Sequence, residues 1–159
     1  MRIRISISRQ TLELFDDAGR QLRSYEVSSA KKGLGEQRGS HCTPRGRHII
    51  RAKIGAKMPA NSVFIRRRPT GEIYSRELAD RHPGRDWILT RILWLSGSEP
   101  GFNRLGDVDT MRRYIYIHGS PDGAQMGLPG SIGCIRMRNR DIVELFDLAP
   151  VRTPVEICE

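Results

Sequence analysis

The sequence has no long apolar run. Its longest such stretches are only a few residues, as in "ILWL" at 92–95, far short of the ~20 consecutive apolar residues a membrane-spanning helix needs. A membrane partner is therefore not expected. The N-terminus, "MRIRISISRQ", alternates arginine with isoleucine. It lacks the continuous apolar segment of a secretory signal, so the expected location is the cytoplasm; a leader lying outside this sequence would instead send the chain to the periplasm. Cysteine is scarce and odd in number, three in all, which argues against a disulfide-stapled scaffold and fits a reducing compartment. Lysine is scarce as well. Arginine supplies 23 of the 27 basic residues, and with only 18 acidic ones the net charge is +9. Such a balance raises nucleic acid as a partner. Yet the arginines are scattered along the chain, no nucleic-acid motif is present, and no aromatics interleave with the charges. A solvated basic surface comes first, a small anionic substrate second, and a basic nucleic-acid-binding module only as a remote alternative.

At 159 residues the chain reads as a single domain, 1–159, long enough to bury a core. Most of it reads as strand. Ile3, Ile5 and Ile7 share one face at period two, and Leu12 and Leu14 continue after a break. "DDAG" at 16–19 is a turn, and "QLRSYEV" returns to make a hairpin or meander. Residues 30–42 are rich in Gly, Lys and Ser, hence a loop. "RHIIRAKIG", "SVFIRRR", "DWILTRILWL" and "RYIYIH" are further strands, the third of them central, with Trp87 and Trp94 in its core. The run Arg66–Arg68 would point to both faces of its strand. One helix follows residue 138: Asn139 as N-cap, Asp141 in the first turn, and Ile142, Leu145 and Phe146 as an apolar stripe with Val143 at its edge. "TPVEI" closes as a short strand. The class is mainly β, a curled sheet or small barrel with one or two helices.

Chemistry concentrates in "GSIGCIRM", 130–137, and "YIYIHGSP", 114–121. A cysteine nucleophile needs a base within reach and backbone donors for the oxyanion. Cys134 follows Gly133, where the missing side chain lets a carbonyl approach the N–H groups of Gly133 and Cys134. His118 ends a strand and is followed by Gly119. On spacing alone, a core cysteine and a satisfied histidine account for the pattern better, since free Cys is among the most buried residue types. Cys42 beside His41 is a poor local pair, because neighbours in an extended segment point opposite ways. Cys158 stands at the chain end. His48 and His82 read as structural or surface. The spacing of His41, Cys42, His48 and Cys134 does not close a zinc site, so no metal and no cofactor are expected.

The combined pattern "YIHGSP…GSIGCIRMRNRDIVELFDL" resembles the signature of the L,D-transpeptidase (YkuD-like) catalytic domain family, and "CTPRGRHII" supplies a second, weaker element through Thr43, Pro44 and Gly46. The likeness runs from about Ile3 to Ile157. It implies a β-sandwich-like catalytic fold and a cysteine acyl-enzyme acting on peptidoglycan stem peptides, at the bond between an L-centre (often meso-diaminopimelate) and the terminal D-Ala. By position, Cys134 matches the nucleophile, His118 the base, and Gly119 the turn whose carbonyl orients the imidazole. Gly133, with Cys134, matches the oxyanion element. Ser131, Arg136 and Tyr116 fall at substrate-side positions. Arg136 stands either as a carboxylate clamp or as a brace for its loop. Many members carry a second histidine directly before the Gly-Cys pair, where this chain has Ile132. The resemblance also implies acylation of Cys134 by carbapenems. The expected activity is L,D-carboxypeptidase action on tetrapeptides in muropeptide recycling, with cross-linking or D-amino-acid exchange by transpeptidation as the alternative.

Overall fold

The computed structural model describes residues 1–159. Ten strands form one continuous, curled half-barrel sheet, accompanied by two helices. The strands are β1 (Arg2–Ser6), β2 (Thr11–Phe15), β3 (Gln21–Glu26), β4 (Gly46–Ile54), β5 (Ser62–Ile65), β6 (Arg68–Ile73), β7 (Ile88–Gly97), β8 (Tyr116–Ser120), β9 (Ile135–Arg138) and β10 (Pro154–Cys158). The helices are α1 (Arg76–Arg81) and α2 (Asn139–Leu148). The expected N-terminal meander is present as β1–β2–β3, and the C-terminal strand β10 joins it in parallel to β1.

β7 is the branch point, central as the sequence predicts. Along one edge it pairs first with β5, through Leu89, and then with β4, from Ile92 onward; its other edge carries β8, which in turn pairs in parallel with β9. The register slips between Leu89 and Ile92, where Thr90 takes φ +74°. A β-branched residue resists that conformation. It is held by a buried polar knot: the Thr90 hydroxyl accepts from the Asn61 N–H at 3.0 Å and donates to Asn139 Oδ1 at 2.6 Å.

Alternation along the strands sorts two cores. On one face Ile117 of β8, Ile135 and Met137 of β9, Leu93 and Leu95 of β7 and the Ile3/Ile5 stripe of β1 pack with Ile142, Leu145 and Phe146 of α2. Each fully buried aliphatic here contributes ~1.5–3 kcal/mol. On the opposite face a small cluster joins Phe64, Ile92 and Tyr116, with Trp94 and Cys134 against it. The site lies on that second face.

Three expectations are corrected. Arg138, without a side-chain cap bond, occupies the N-cap of α2, and Asn139 is the first helical residue; its amide is committed to Thr90, Asn61 and Asp122. The Arg66–Arg68 run does not continue a strand: Arg66 and Arg67 form a two-residue turn between β5 and β6, both at positive φ, and Arg68 begins β6. Trp87 and Trp94 are half-buried rather than core; Trp94 keeps its indole N–H at the rim, donating to the Met111 carbonyl. No helix is long and apolar enough to cross a membrane.

Candidate active site

The parallel register Ile117↔Ile135 and His118↔Arg136 places Cys134, one residue before β9, beside Tyr116, and His118 one step farther along the same face. Sheet topology thus unites two segments that the sequence separates by a glycine-rich loop. The sulfur of Cys134 is held by backbone on two sides. The Tyr116 N–H donates to Sγ at 3.3 Å, and the thiol donates to the Tyr114 carbonyl at 3.4 Å. Desolvation pushes the thiol up to about 12, with the Tyr116 N–H opposing that shift.

His118 is fully buried. Its Nδ1 lies 2.6 Å from the carbonyl oxygen of Gly119. A carbonyl only accepts, so Nδ1 carries the proton and Nε2 presents its lone pair. That Nε2 is buried and has no partner in the protein, an unusual state for a buried polar atom. Burial lowers the imidazole's proton affinity below the ordinary histidine value, with the Gly119 carbonyl pulling the other way. No hydrogen bond joins His118 to Cys134 in this structure, and burial favours the neutral form of each.

Gly119 must be glycine for reasons of space. A Cβ there would lie 2.5 Å from Asn139 Oδ1 and 2.6 Å from the Leu89 carbonyl oxygen. Gly133 is constrained by conformation, with φ +135°, a region that favours glycine. Its N–H donates to the Ser131 hydroxyl at 3.2 Å. Of the two expected oxyanion donors, only the Cys134 N–H is therefore free of a protein partner. The Ser131 hydroxyl also donates to the Cys134 carbonyl and is buried, so in this structure the serine braces the loop that carries Cys134. Thr43 braces the same loop from the other side. Its hydroxyl donates to the Gly133 carbonyl at 2.9 Å and accepts from the Ala30 N–H at 3.0 Å. Arg136 spreads its guanidinium between Asp86, at 3.1 Å, and the Gly130 carbonyl, also at 3.1 Å. In this state it braces the glycine-rich loop. Tyr116 is buried, and its phenol accepts from Arg67.

Cys134 opens into a cavity of about 440 Å³, lined by the charged Arg66, Arg67, Asp86 and Arg113 and by His41. Ile132 forms part of its wall and is exposed. A second hollow of about 240 Å³ shares Ile132 and Arg113 with the first and adds Arg38 and Arg112. Eleven arginines of the chain pair with a carboxylate, Arg136 among them; Arg66, Arg67 and Arg113 do not. Arg113 gives its donors to the Gly35 and Cys42 carbonyls and the Ser40 hydroxyl, tying the 35–42 loop to the cavity wall. Sequence reasoning missed Arg67, Asp86 and Arg113. They reach the site from other elements, and no local motif marks them. Cys42 Sγ contacts the Lys32 and Ser40 carbonyls and Cys158 Sγ that of Ile5; neither makes a hydrogen bond to a histidine. His48 is buried between the Gly46 carbonyl and the Thr110 hydroxyl, a structural role, and His82 is exposed.

The model of the L,D-transpeptidase catalytic domain, YkuD, matches residues 1–157. The putative L,D-transpeptidase YkuD of Bacillus subtilis is 35% identical over 89 residues, 56% of this chain and 44% of that protein. The probable L,D-transpeptidase ErfK/SrfK of Salmonella typhimurium is 49% identical over 47 residues, 30% of this chain and 15% of that protein. The matched segments thus span less than half the length of these curated relatives. Among solved structures, L,D-transpeptidase 3 from Mycobacterium tuberculosis in complex with a faropenem-derived adduct shares the fold, with a TM-score of 0.59 at 16% identity, covering 99% of this chain and 59% of that one.

Proposed function

This chain belongs to the L,D-transpeptidase catalytic domain family, and on that premise we propose that it is a cysteine-nucleophile enzyme of peptidoglycan metabolism, acting on stem tetrapeptides as an L,D-carboxypeptidase. The observation that supports the reading is the placement, on one face of β8 and β9, of a backbone-held Cys134 thiol and a buried His118 whose Nε2 is unpartnered and whose tautomer is fixed by Gly119.

In this mechanism a substrate carbonyl enters the cavity beside Cys134. Nε2 of His118 takes the thiol proton as sulfur bonds to the carbonyl carbon, and the π electrons move to oxygen. The Cys134 N–H stabilises that oxyanion. Collapse breaks the C–N bond, and the imidazolium returns its proton to the departing D-Ala amine. Water then attacks the thioester with His118 as base, regenerating the thiol and releasing tripeptide. The unpaired arginines of the cavity suit a substrate with several carboxylates. Water is favoured as the second nucleophile because it is abundant around soluble stem peptides and an acceptor stem must compete with it; the aliphatic Ile132 beside Cys134 is compatible with this. We place the activity among soluble muropeptides of the cytoplasm. Carbapenems, as acylating analogues, belong on Cys134 by the same chemistry; the complex of a similarly folded L,D-transpeptidase, LdtMt1, with imipenem supports this.

Incubating the purified protein with a tetrapeptide muropeptide and following products by mass tests the reading. Tripeptide plus free D-Ala is the expected outcome. Transpeptidation is the second reading, favoured by the arginine-lined hollow beyond Ile132, which gives an acceptor stem a place. Cross-linked dimer, or exchange of D-Ala for an added D-amino acid with little tripeptide, would establish it.

A further inference from the structure

We propose that Arg67, at the tip of the β5–β6 hairpin, receives the free C-terminal carboxylate of the substrate and thereby makes the enzyme specific for chain ends. The proposal rests on the reading of Cys134 as nucleophile given above.

The hairpin tip is locally unfavourable. Arg66 and Arg67 take φ +50° and +65°, in a two-residue turn where Asn and Gly are the favoured occupants because side chains resist positive φ. Strain kept against local preference accumulates at functional sites. Here it has an evident compensation. The Arg67 guanidinium carbon lies 4.6 Å from the ring centre of Trp94 and 4.7 Å from that of Tyr114. Its Nη1 donates to the Tyr116 phenol at 2.9 Å. Trp94 is itself half-buried at the margin of the second core, so the stack is anchored.

An arginine held in this way is flanked by two rings on adjacent sides and keeps N–H donors free, since the one phenol uses one of five. The remaining in-plane donors form a fork that matches a carboxylate bidentately. No carboxylate of the protein neutralises it. The cavity's one acidic residue, Asp86, is taken by Arg136. Arg113 spends its donors on the 35–42 loop, and Arg66 lacks the stack that would fix it.

The position of the cation gives the carboxylate an identity. Tyr116 holds the Cys134 sulfur with its backbone N–H and Arg67 with its phenol. Tyr114 accepts the thiol proton with its carbonyl and flanks Arg67 with its ring. One tyrosine side chain therefore separates the nucleophile from the cation. In a substrate whose scissile carbonyl meets Cys134, the anionic group one residue beyond the scissile amide is the terminal carboxylate. A chain that continues past that residue, or one ending in an amide, lacks it.

The test compares a tetrapeptide with its C-terminal amide. In the wild-type protein kcat/KM for the acid is expected to exceed that for the amide by roughly 10- to 100-fold, the range of a charge-assisted contact. Arg67→Gln should collapse this ratio toward one, mainly through KM, and Arg67→Lys should give an intermediate ratio. If Arg67→Gln slows both substrates equally and keeps the ratio, Arg67 only braces the hairpin and the proposal is overturned. Calorimetric binding of both peptides to Cys134→Ala protein, with and without Arg67→Gln, repeats the comparison without turnover. Acid-selective binding that needs Arg67, together with no hydrolysis of the tetrapeptide by the wild-type protein, keeps the subsite and sinks the carboxypeptidase reading. Hydrolysis with no preference between acid and amide does the reverse.

Discussion

Nδ1 of His118 lies 2.6 Å from the carbonyl oxygen of its own neighbour, Gly119. That contact does for the imidazole what a carboxylate does in a catalytic triad: it fixes the tautomer and aims Nε2. Replacing either member of the proposed pair should remove turnover. Cys134→Ala is expected to abolish tripeptide formation, and His118→Ala to lower kcat by roughly 10²–10⁴-fold, the usual contribution of a general acid–base group. Cys42→Ser and Cys158→Ser should retain most of it, since neither sulfur lines the cavity into which Cys134 opens. Loss of turnover in a folded Cys42→Ser protein would reassign the nucleophile.

Gly119 is the second target, on grounds of space. The Cβ of Gly119→Ala would press on the Leu89 carbonyl and on Asn139, both committed to the sheet and to the Thr90 knot. Overpacking of this kind costs ~1–3 kcal/mol. The carbonyl that orients His118 would shift with the strand. A lower urea midpoint together with a fall in kcat is the expected result; wild-type values for both would show that β8 relaxes without cost.

The proposed nucleophile and base and the two glycines were legible because each sits in a short segment with its own signature, and β8 and β9 carry both segments. The curled, mainly β fold was legible from period-two alternation, as in Ile3 and Ile5 or Leu12 and Leu14; the four-residue β9 was too short to announce itself. What was hidden came from elsewhere in the sheet. Arg67 sits on the turn between β5 and β6 and Asp86 just before β7; the pairing of β5 with β7, and of β7 with β8 and β9, brings them to Cys134. The Arg66–Arg67 turn contains no Gly, Asn or Asp, so nothing local announces it. Its stack on Trp94 and Tyr114 is a tertiary override of turn chemistry. Asn139 misled for the opposite reason: it is a good cap type, but a buried partner, Thr90, holds its side chain away from the helix end.

Arg136 and Asp86 should act as one unit. Arg136→Lys keeps the charge but cannot span Asp86 and the Gly130 carbonyl with one planar fork. Asp86→Asn leaves the fork without its anion. Each single change should lower kcat/KM to a similar degree, and the double variant should be little worse, with a coupling energy of ~0.5–3 kcal/mol. Strictly additive losses would mean that Arg136 meets the substrate directly and owes little to Asp86.

Stability should fall on mild acidification. His48 is buried, and desolvation lowers it from 6.5 to about 4, against the pull of the Gly46 carbonyl. Between those values the unfolded chain binds a proton that the folded chain refuses, so folding loses free energy as pH drops from 6.5 to 4, by up to ~3 kcal/mol for this residue. His118, also lowered by burial, adds loss in the same direction. Urea midpoints measured at pH 7, 5.5 and 4.5 should decline in that order. The decline should be shallower in His48→Gln, which cannot titrate there. Equal midpoints at pH 7 and 4.5 would exclude both histidines as buried neutral groups.

The resting state of the nucleophile follows from the same burial. Many reactive cysteines are stored as thiolates, in ion pairs with a cation or at a helix N-terminus. Cys134 has neither arrangement. Its thiol donates to the Tyr114 carbonyl, desolvation holds it up to about 12, and the imidazole nearby is pushed toward its neutral form. Arg136 and Arg113 pull the thiol down, but desolvation is the larger influence. The thiolate should therefore form only as the substrate carbonyl displaces the Tyr114 contact and His118 Nε2 takes the proton. In the free protein, alkylation of Cys134 by iodoacetamide, followed by peptide mass, is expected to be slow at pH 7. It should keep rising through pH 9 without a plateau. His118→Ala should change that profile little, because the histidine does not hold a proton shared with sulfur before substrate arrives. A plateau reached below pH 7, abolished by His118→Ala, would instead mark a preformed thiolate–imidazolium pair and overturn the neutral resting state.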